Sequence, residues 1–170
     1  MKEKYCLIAA LILFLDHAAK WIARANLETG AAVVIIPGYL RLSYVENYGI
    51  AFGLFDNMEL PWKAYILAAV GIGAAVIIWV YSARLPADRR LLHYALSVIM
   101  GGILGNLVDR LAHGYVIDFI ELHIHEAFHW PNFNIADSAI TLGIAILLLD
   151  AVKNPAAEIS PGKRPESGGF

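Results

Sequence analysis

The chain has 170 residues, of which 59% are hydrophobic and only 16% charged, with a mean hydropathy of +0.59. A soluble domain carries roughly 25% charged residues, so this apolar excess has no core large enough to hide it and the bilayer is the expected solvent. The net charge of -2 gives no electrostatic case for nucleic acid, and the single cysteine, Cys6, excludes an internal disulfide and a Cys/His zinc site.

In chain order, Lys2 and Lys4 precede the apolar run Tyr5 to Leu15, as in a secretory signal. No small-x-small cleavage site follows, and the run continues through Asp16, His17, Ala18, Ala19 and Lys20. An uncleaved membrane helix is expected over 5–25. A β-rich segment follows over 27–57. Val33 to Ile36 are β-branched, Pro37-Gly38 marks a turn, and Leu40, Leu42 and Tyr44 alternate with Arg41 and Ser43. Spanning a bilayer takes about 20 mostly apolar residues. Further helices meeting that need are expected over 62–81, 91–112 and 135–152. The 82–90 and 113–134 segments read as loops. The tail over 154–170 is rich in Pro, Gly and Ser and reads as disordered. The expected fold is an all-α membrane protein of four transmembrane helices, with a small extracytoplasmic sheet between the first two.

Lys and Arg set the topology. With four spans, Lys2, Lys4, Arg84, Arg89, Arg90, Lys153, Lys163 and Arg164 fall on one side, eight against five. Both termini are expected in the cytoplasm and both large loops outside.

Ionisable residues inside spans are costly and usually functional. Asp16 and Lys20 share a face in the outer half of the first helix. Asn106, Asp109 and Arg110 lie at the outer end of the third, and Asn134 and Asp137 at the outer start of the fourth. Asp118 follows the third helix by a short loop. Any one of these has an ordinary explanation: Asn134 is a natural N-cap, and Asp137 suits a helix N-terminus. Convergence of the whole set on one level is harder to explain that way. The chemistry that suits it is hydrolysis by paired carboxylates, one activating water and the other donating a proton. That chemistry requires no metal, cofactor or covalent nucleophile. A small transporter or channel is the competing class, but such proteins usually place polar sites at the midplane of repeated halves, and no repeat is visible here. A structural scaffold leaves the acidic cluster unexplained.

Three stretches then carry a resemblance: Gly105-Asn106-Leu107-Val108-Asp109-Arg110, Gly114-Tyr115-Val116-Ile117-Asp118-Phe119 and Phe133-Asn134-Ile135-Ala136-Asp137-Ser138. With Asn47-Tyr48-Gly49-Ile50-Ala51-Phe52-Gly53 and, more loosely, Asp16-His17-Ala18-Ala19-Lys20, they resemble type II (lipoprotein) signal peptidases over nearly the whole chain. The resemblance implies a bacterial inner-membrane aspartic endopeptidase. Such enzymes cut diacylglyceryl-modified prolipoproteins just before the lipidated cysteine. It implies Asp118 and Asp137 as the catalytic pair. Asn47, Gly49, Asn106, Arg110, Asn134 and Ala136 would support the pair and the substrate, and Asp16, Lys20 and Asp109 the structure of the pocket. Its partners would be the lipidated substrate and membrane lipid, and a monomer is expected. The family usually has Gln and Thr where this chain has His17 and Ala19.

Two further patterns stand apart. His123, His125 and His129 cluster with Glu121 and Glu126, a spacing read as a solvated or headgroup-facing loop rather than a metal site. With Phe119, Phe128 and Trp130, the 119–133 loop reads as a lid. Gly101 and Gly105 form a small-residue motif, read first as internal packing and second as a homodimer contact.

Overall fold

The computed structural model describes residues 3–49, 62–125 and 128–154. Ile50 to Gly53, the remainder of the β-rich segment, Glu126 and the tail beyond Asn154 lie outside the described residues.

Four helices are long and apolar enough to cross a membrane: α1 (Glu3–Leu27), α2 (Lys63–Arg84), α3 (Arg90–His113) and α4 (Ile135–Lys153). At about 1.5 Å per residue each reaches across a hydrocarbon layer of about 30 Å. The chain is a multi-pass membrane protein. Where it faces lipid, Leu, Ile, Val and Trp side chains point outward, as at Leu7, Phe14, Ile77 and Leu148.

The centre of the bundle is α3, against which the other three helices pack. Glycine makes this possible. A Cβ on Gly101 would meet Ala9 O of α1 at 2.8 Å, and one on Gly102 would strike Ala136 O of α4. Gly143 of α4 in turn lies against Ile99 and Ala95 O of α3. Without a hydrophobic drive between helices in lipid, such close backbone approach is the main source of association. The Gly101/Gly105 motif is thus occupied by internal packing.

Each end of α3 has a distinct lock. At its C-terminus Gly114 takes the left-handed conformation (φ 82°) and donates to Arg110 O at 3.1 Å, which turns the chain out of the helix. At its start, buried His93 stacks on Tyr5 of α1 and lies 3.3 Å from Ser82 Oγ of α2. Arg89 bonds Asp150 of α4 at 2.7 Å, tying the short α2–α3 turn to the fourth helix.

The sheet sits at the other end of the bundle. Its strands run in the order β1 (Val33–Ile36), β2 (Leu40–Asn47), β3 (Val116–Ile124) and β4 (Phe128–His129), all antiparallel. Pro37 and Gly38 form the β1–β2 turn, Gly38 at φ 79° and Tyr39 N donating to Ile36 O at 3.0 Å. That is the conformation in which Pro and Gly are the favoured central pair. Half of this sheet therefore comes from the 113–134 segment read as a loop. Asp118 is not on a loop: it stands in β3, paired with Val45. Nor is the first part of the expected lid free. Residues through Leu122 are laddered to β2, His123 N and His125 N bond Tyr39 O and Gly38 O of the β1–β2 turn, Trp130 N bonds Leu122 O, and Phe133 bonds Ile120 in both directions. Phe119 anchors the sheet on α1 through Ala23 and Leu27.

Candidate active site

Local chain geometry delivers four elements to one place. β2 ends on Asn47, β3 carries Asp118, α3 carries Asn106, Asp109 and Arg110, and α4 starts at its N-cap, Asn134. The cap is a full box: Asn134 Oδ1 accepts from Asp137 N at 2.9 Å, and Asp137 Oδ2 accepts from Asn134 N at 3.3 Å. Asn134 is wholly buried, and its Nδ2 donates to Asp118 Oδ1 at 2.7 Å. One side chain thus joins the two aspartates. The opposite oxygens have their own donors. Asn47 Nδ2 donates to Asp118 Oδ2 and Asn106 Nδ2 to Asp137 Oδ1, each at 2.8 Å.

Behind this lies a charged cluster. Lys20 is buried, with its Nζ 2.7 Å from Asp16 Oδ2, 2.8 Å from Asp109 Oδ2 and 3.1 Å from Asn106 Oδ1. Asn106 accepts one proton of the ammonium, and the charges of the two adjacent carboxylates offset the cost of burying it. The two carboxylates also reach backbone: Asp16 Oδ1 accepts from Ala136 N at 2.8 Å, and Asp109 Oδ2 from Ile117 N at 3.2 Å. Each bond fixes the residue just before one of the two aspartates. Gly105 is required here, since a Cβ would come within 2.6 Å of Asp16 Oδ2.

Arg110 completes the arrangement. It donates to Asn106 O and to Gly49 O, each at 3.2 Å, and Asn47 Oδ1 accepts from Gly49 N at 2.9 Å. The structure therefore brings all eleven residues singled out from the sequence into one connected network. What sequence reading missed is Ile117, whose backbone N–H meets Asp109, and the fact that Gly49 and Ala136, both singled out, act through backbone O and N.

Asp118 is nearly inaccessible, and burial pushes its carboxyl up to about 7, helped by the neighbouring charge of Asp137. The Asn47 and Asn134 hydrogen bonds and the charge of Lys20 pull the other way. A carboxyl in that range can hold or release a proton near neutrality.

A cavity of about 830 Å³ opens beside the network. Leu67, Val70, Gly71 and Ala74 of α2 form one wall and Ile140, Thr141 and Ala145 of α4 the other. Asn47, Asn106, Arg110 and Asp137 form its polar end. It can take an apolar chain whose polar segment meets Asp137.

The histidines lie elsewhere. His123 and His129 stack at 5.5 Å, His129 approaches Glu121 at 3.4 Å, and His125 packs edge-on against Tyr39. Glu121 is held below the usual carboxylate range, first by the Arg41 hydrogen bond at 2.6 Å, with help from Ser43 and His129. Among the described residues no group of three or more His, Cys, Asp or Glu is placed to hold a metal.

Residues 8–153 match the sequence model of a family described as signal peptidase (SPase) II. A lipoprotein signal peptidase of Moorella thermoacetica is 41% identical over 143 residues, covering 84% of this chain and 89% of that protein. One of Alteromonas mediterranea is 36% identical over 151 residues, 89% of this chain and 81% of that protein. A solved bacterial membrane enzyme superposes with a TM-score of 0.80 over 95% of this chain and 94% of that one, at 25% identity. A second superposes at 0.78, over 89% of this chain and 94% of its own, at 26% identity. This chain therefore belongs to the signal peptidase II family, a family of peptidases.

Proposed function

We propose that this protein is an aspartic endopeptidase that removes the signal peptide from diacylglyceryl-modified prolipoproteins, cutting just before the lipidated cysteine, with Asp118 and Asp137 as its catalytic pair. The observation that carries the reading is that Asn134 bonds both carboxylates, Asp118 Oδ1 through its side-chain nitrogen and Asp137 Oδ2 through its backbone N–H, with Asp137 at the polar end of an apolar cavity. The names of the relatives supply the substrate class.

In this mechanism the pair holds one proton, because two close buried carboxylates cannot both ionise cheaply. The ionised member takes a proton from water as the oxygen adds to the scissile carbonyl. The protonated member gives its proton to the carbonyl oxygen. Collapse of the tetrahedral intermediate breaks the C–N bond: the proton gained from water passes to the departing amine of the lipidated cysteine, and one hydroxyl of the intermediate returns its proton to the other aspartate, which restores the pair's single proton. Asn47, Asn106 and Asn134 keep both carboxylates in place, and Arg110, fixed on Gly49 O, lies ready to hold substrate backbone. The apolar walls suit the helical part of a signal peptide arriving from the bilayer.

The family resemblance supports a location in the bacterial inner membrane, and the charge bias of the loops supports the orientation there. Both termini would then be cytoplasmic and the aspartates near the periplasmic face. A monomer suffices, since one chain supplies every group used.

Asp118→Asn and Asp137→Asn test the pair. Each keeps size and one accepting oxygen, and loses only the bond at which its amide nitrogen would face a donor, so each should insert and fold while abolishing cleavage of a lipidated preprotein. Cleavage retained by either variant removes the assignment.

A further inference from the structure

The Lys20 cluster does more in this geometry than neutralise itself. Lys20 can only donate, so the Asn106 atom 3.1 Å from it must be the oxygen. The same oxygen also accepts from Asn134 Nδ2 at 3.2 Å. The Asn106 amide nitrogen is thereby forced to the other side, where it meets Asp137 Oδ1 at 2.8 Å. Asn134 is oriented independently, because its oxygen caps Asp137 N. Its nitrogen must then face Asp118. Both aspartates thus receive amide N–H donors as a consequence of two anchors, the α4 cap and Lys20.

We propose that Lys20 is a positioning residue for the reaction: through Asn106 it fixes the amide that donates to Asp137, and with Asp109 it sets the charge balance behind the catalytic pair. The proposal rests on the aspartate-pair reading above. Among the described residues, the charged and titratable groups of the helices and strand that carry the pair and its cluster can be named. α1 brings Asp16, His17 and Lys20, and α3 brings Asp109 and Arg110. β3 and α4 contribute Asp118 and Asp137 themselves. His17 lies 3.7 Å from Asp109 on the side away from Lys20's contact, at Oδ1 rather than Oδ2. Among the described residues, Lys20 is the cation that bonds a side-chain amide donating to the pair. The effect of Lys20 on Asp118 already runs in the required direction, since its charge favours the ionised form.

The experiment is the pH profile of turnover on a lipidated preprotein, for two variants whose charge changes are opposite. Lys20→Met removes the positive charge and frees Asn106 to rotate. Ionisation of the pair becomes harder, and the profile moves to higher pH by about one unit. Asp109→Asn can keep its oxygen on both Lys20 and Ile117 N while losing a negative charge, and it moves the profile to lower pH. A role confined to folding predicts something else: less active enzyme in both variants, with unmoved profiles, and that result overturns the proposal. Profiles moving in the same direction overturn it as well. Should Lys20→Met fail to fold, Asp109→Asn decides alone, by the direction of its shift. Failure of the underlying reading would show differently, as cleavage by Asp118→Asn or Asp137→Asn.

Discussion

Replacing Asn134 separates two duties that one buried side chain performs. Its oxygen caps α4 and its nitrogen donates to Asp118. Loss of an N-cap costs about 1 kcal/mol, and loss of a hydrogen bond to a buried charged group about 1.5–3 kcal/mol. Asn134→Ala loses both, and should be destabilised by about 2.5–4 kcal/mol. Asn134→Ser keeps a capping oxygen but is too short to reach Asp118, so it should recover about 1 kcal/mol. If the Asp118 contact is made in the transition state, each variant loses turnover by the same factor, about 10- to 150-fold at 1.36 kcal/mol per decade. The assay pairs thermal unfolding in detergent with cleavage of a diacylglyceryl-modified preprotein at saturating substrate. Stability that returns in the Ser variant without turnover is the expected result. Turnover returning in step with stability would refute the reasoning, because Asn134 would then matter only as a cap.

Gly105→Ala must push Asp16 away from Lys20 or α3 away from α4, and should destabilise by about 1–3 kcal/mol. Gly71→Ala is the control: its nearest neighbour is Leu107 Cδ1 at 3.9 Å, and its melting temperature should stay close to that of the parent. The raised carboxyl of Asp118 sets two pH dependences. Its folded value, about 7, exceeds the ordinary 3.8, so the folded chain binds a proton that the unfolded chain has lost. This contribution to stability is fully present below about 3.8 and is lost as pH rises through about 7, which pH-dependent unfolding of the parent against Asp118→Asn would read. Turnover by the pair should fall above about pH 7 as its shared proton is lost, giving the alkaline limb of a bell. A rate flat from about pH 5 to about pH 9 would count against acid–base work by these groups.

The spans over 62–81 and 91–112 were legible from their apolar runs, and the first and fourth from runs long enough to outweigh the Asp16, Lys20, Arg24 and Asp137 that interrupt them. The convergence of Asp16, Asn106, Asp137 and their neighbours was legible from helix direction alone. β3 was not. Its sequence, Val116 to Ile124, shows no clean alternation, because its first residues are buried whichever way they point. Its partner is β2, about seventy to eighty residues earlier in the chain, and no local pattern announces so distant a ladder. For the same reason Asp118 was placed on a loop. The Asp16–Lys20 pair was visible at i, i+4 spacing, but the third arm, to Asp109, depends on how closely α1 and α3 approach. That distance is set by glycines whose partners only coordinates reveal.

The placing of α2 has a consequence of its own. α2 packs on α3, and the cavity separates its Leu67, Val70 and Ala74 from the Ile140 and Thr141 side of α4. A groove of this kind, in oil, cannot sort its visitors by greasiness, because a lipid tail is as comfortable there as a leucine. Whatever discrimination the protein exercises along those walls must come from contour, and the rest from the few residues that arrive beside Asn47, Arg110 and Asp137. Such a groove tolerates wide variation in the apolar stretch of a guest and is exacting only at its polar end.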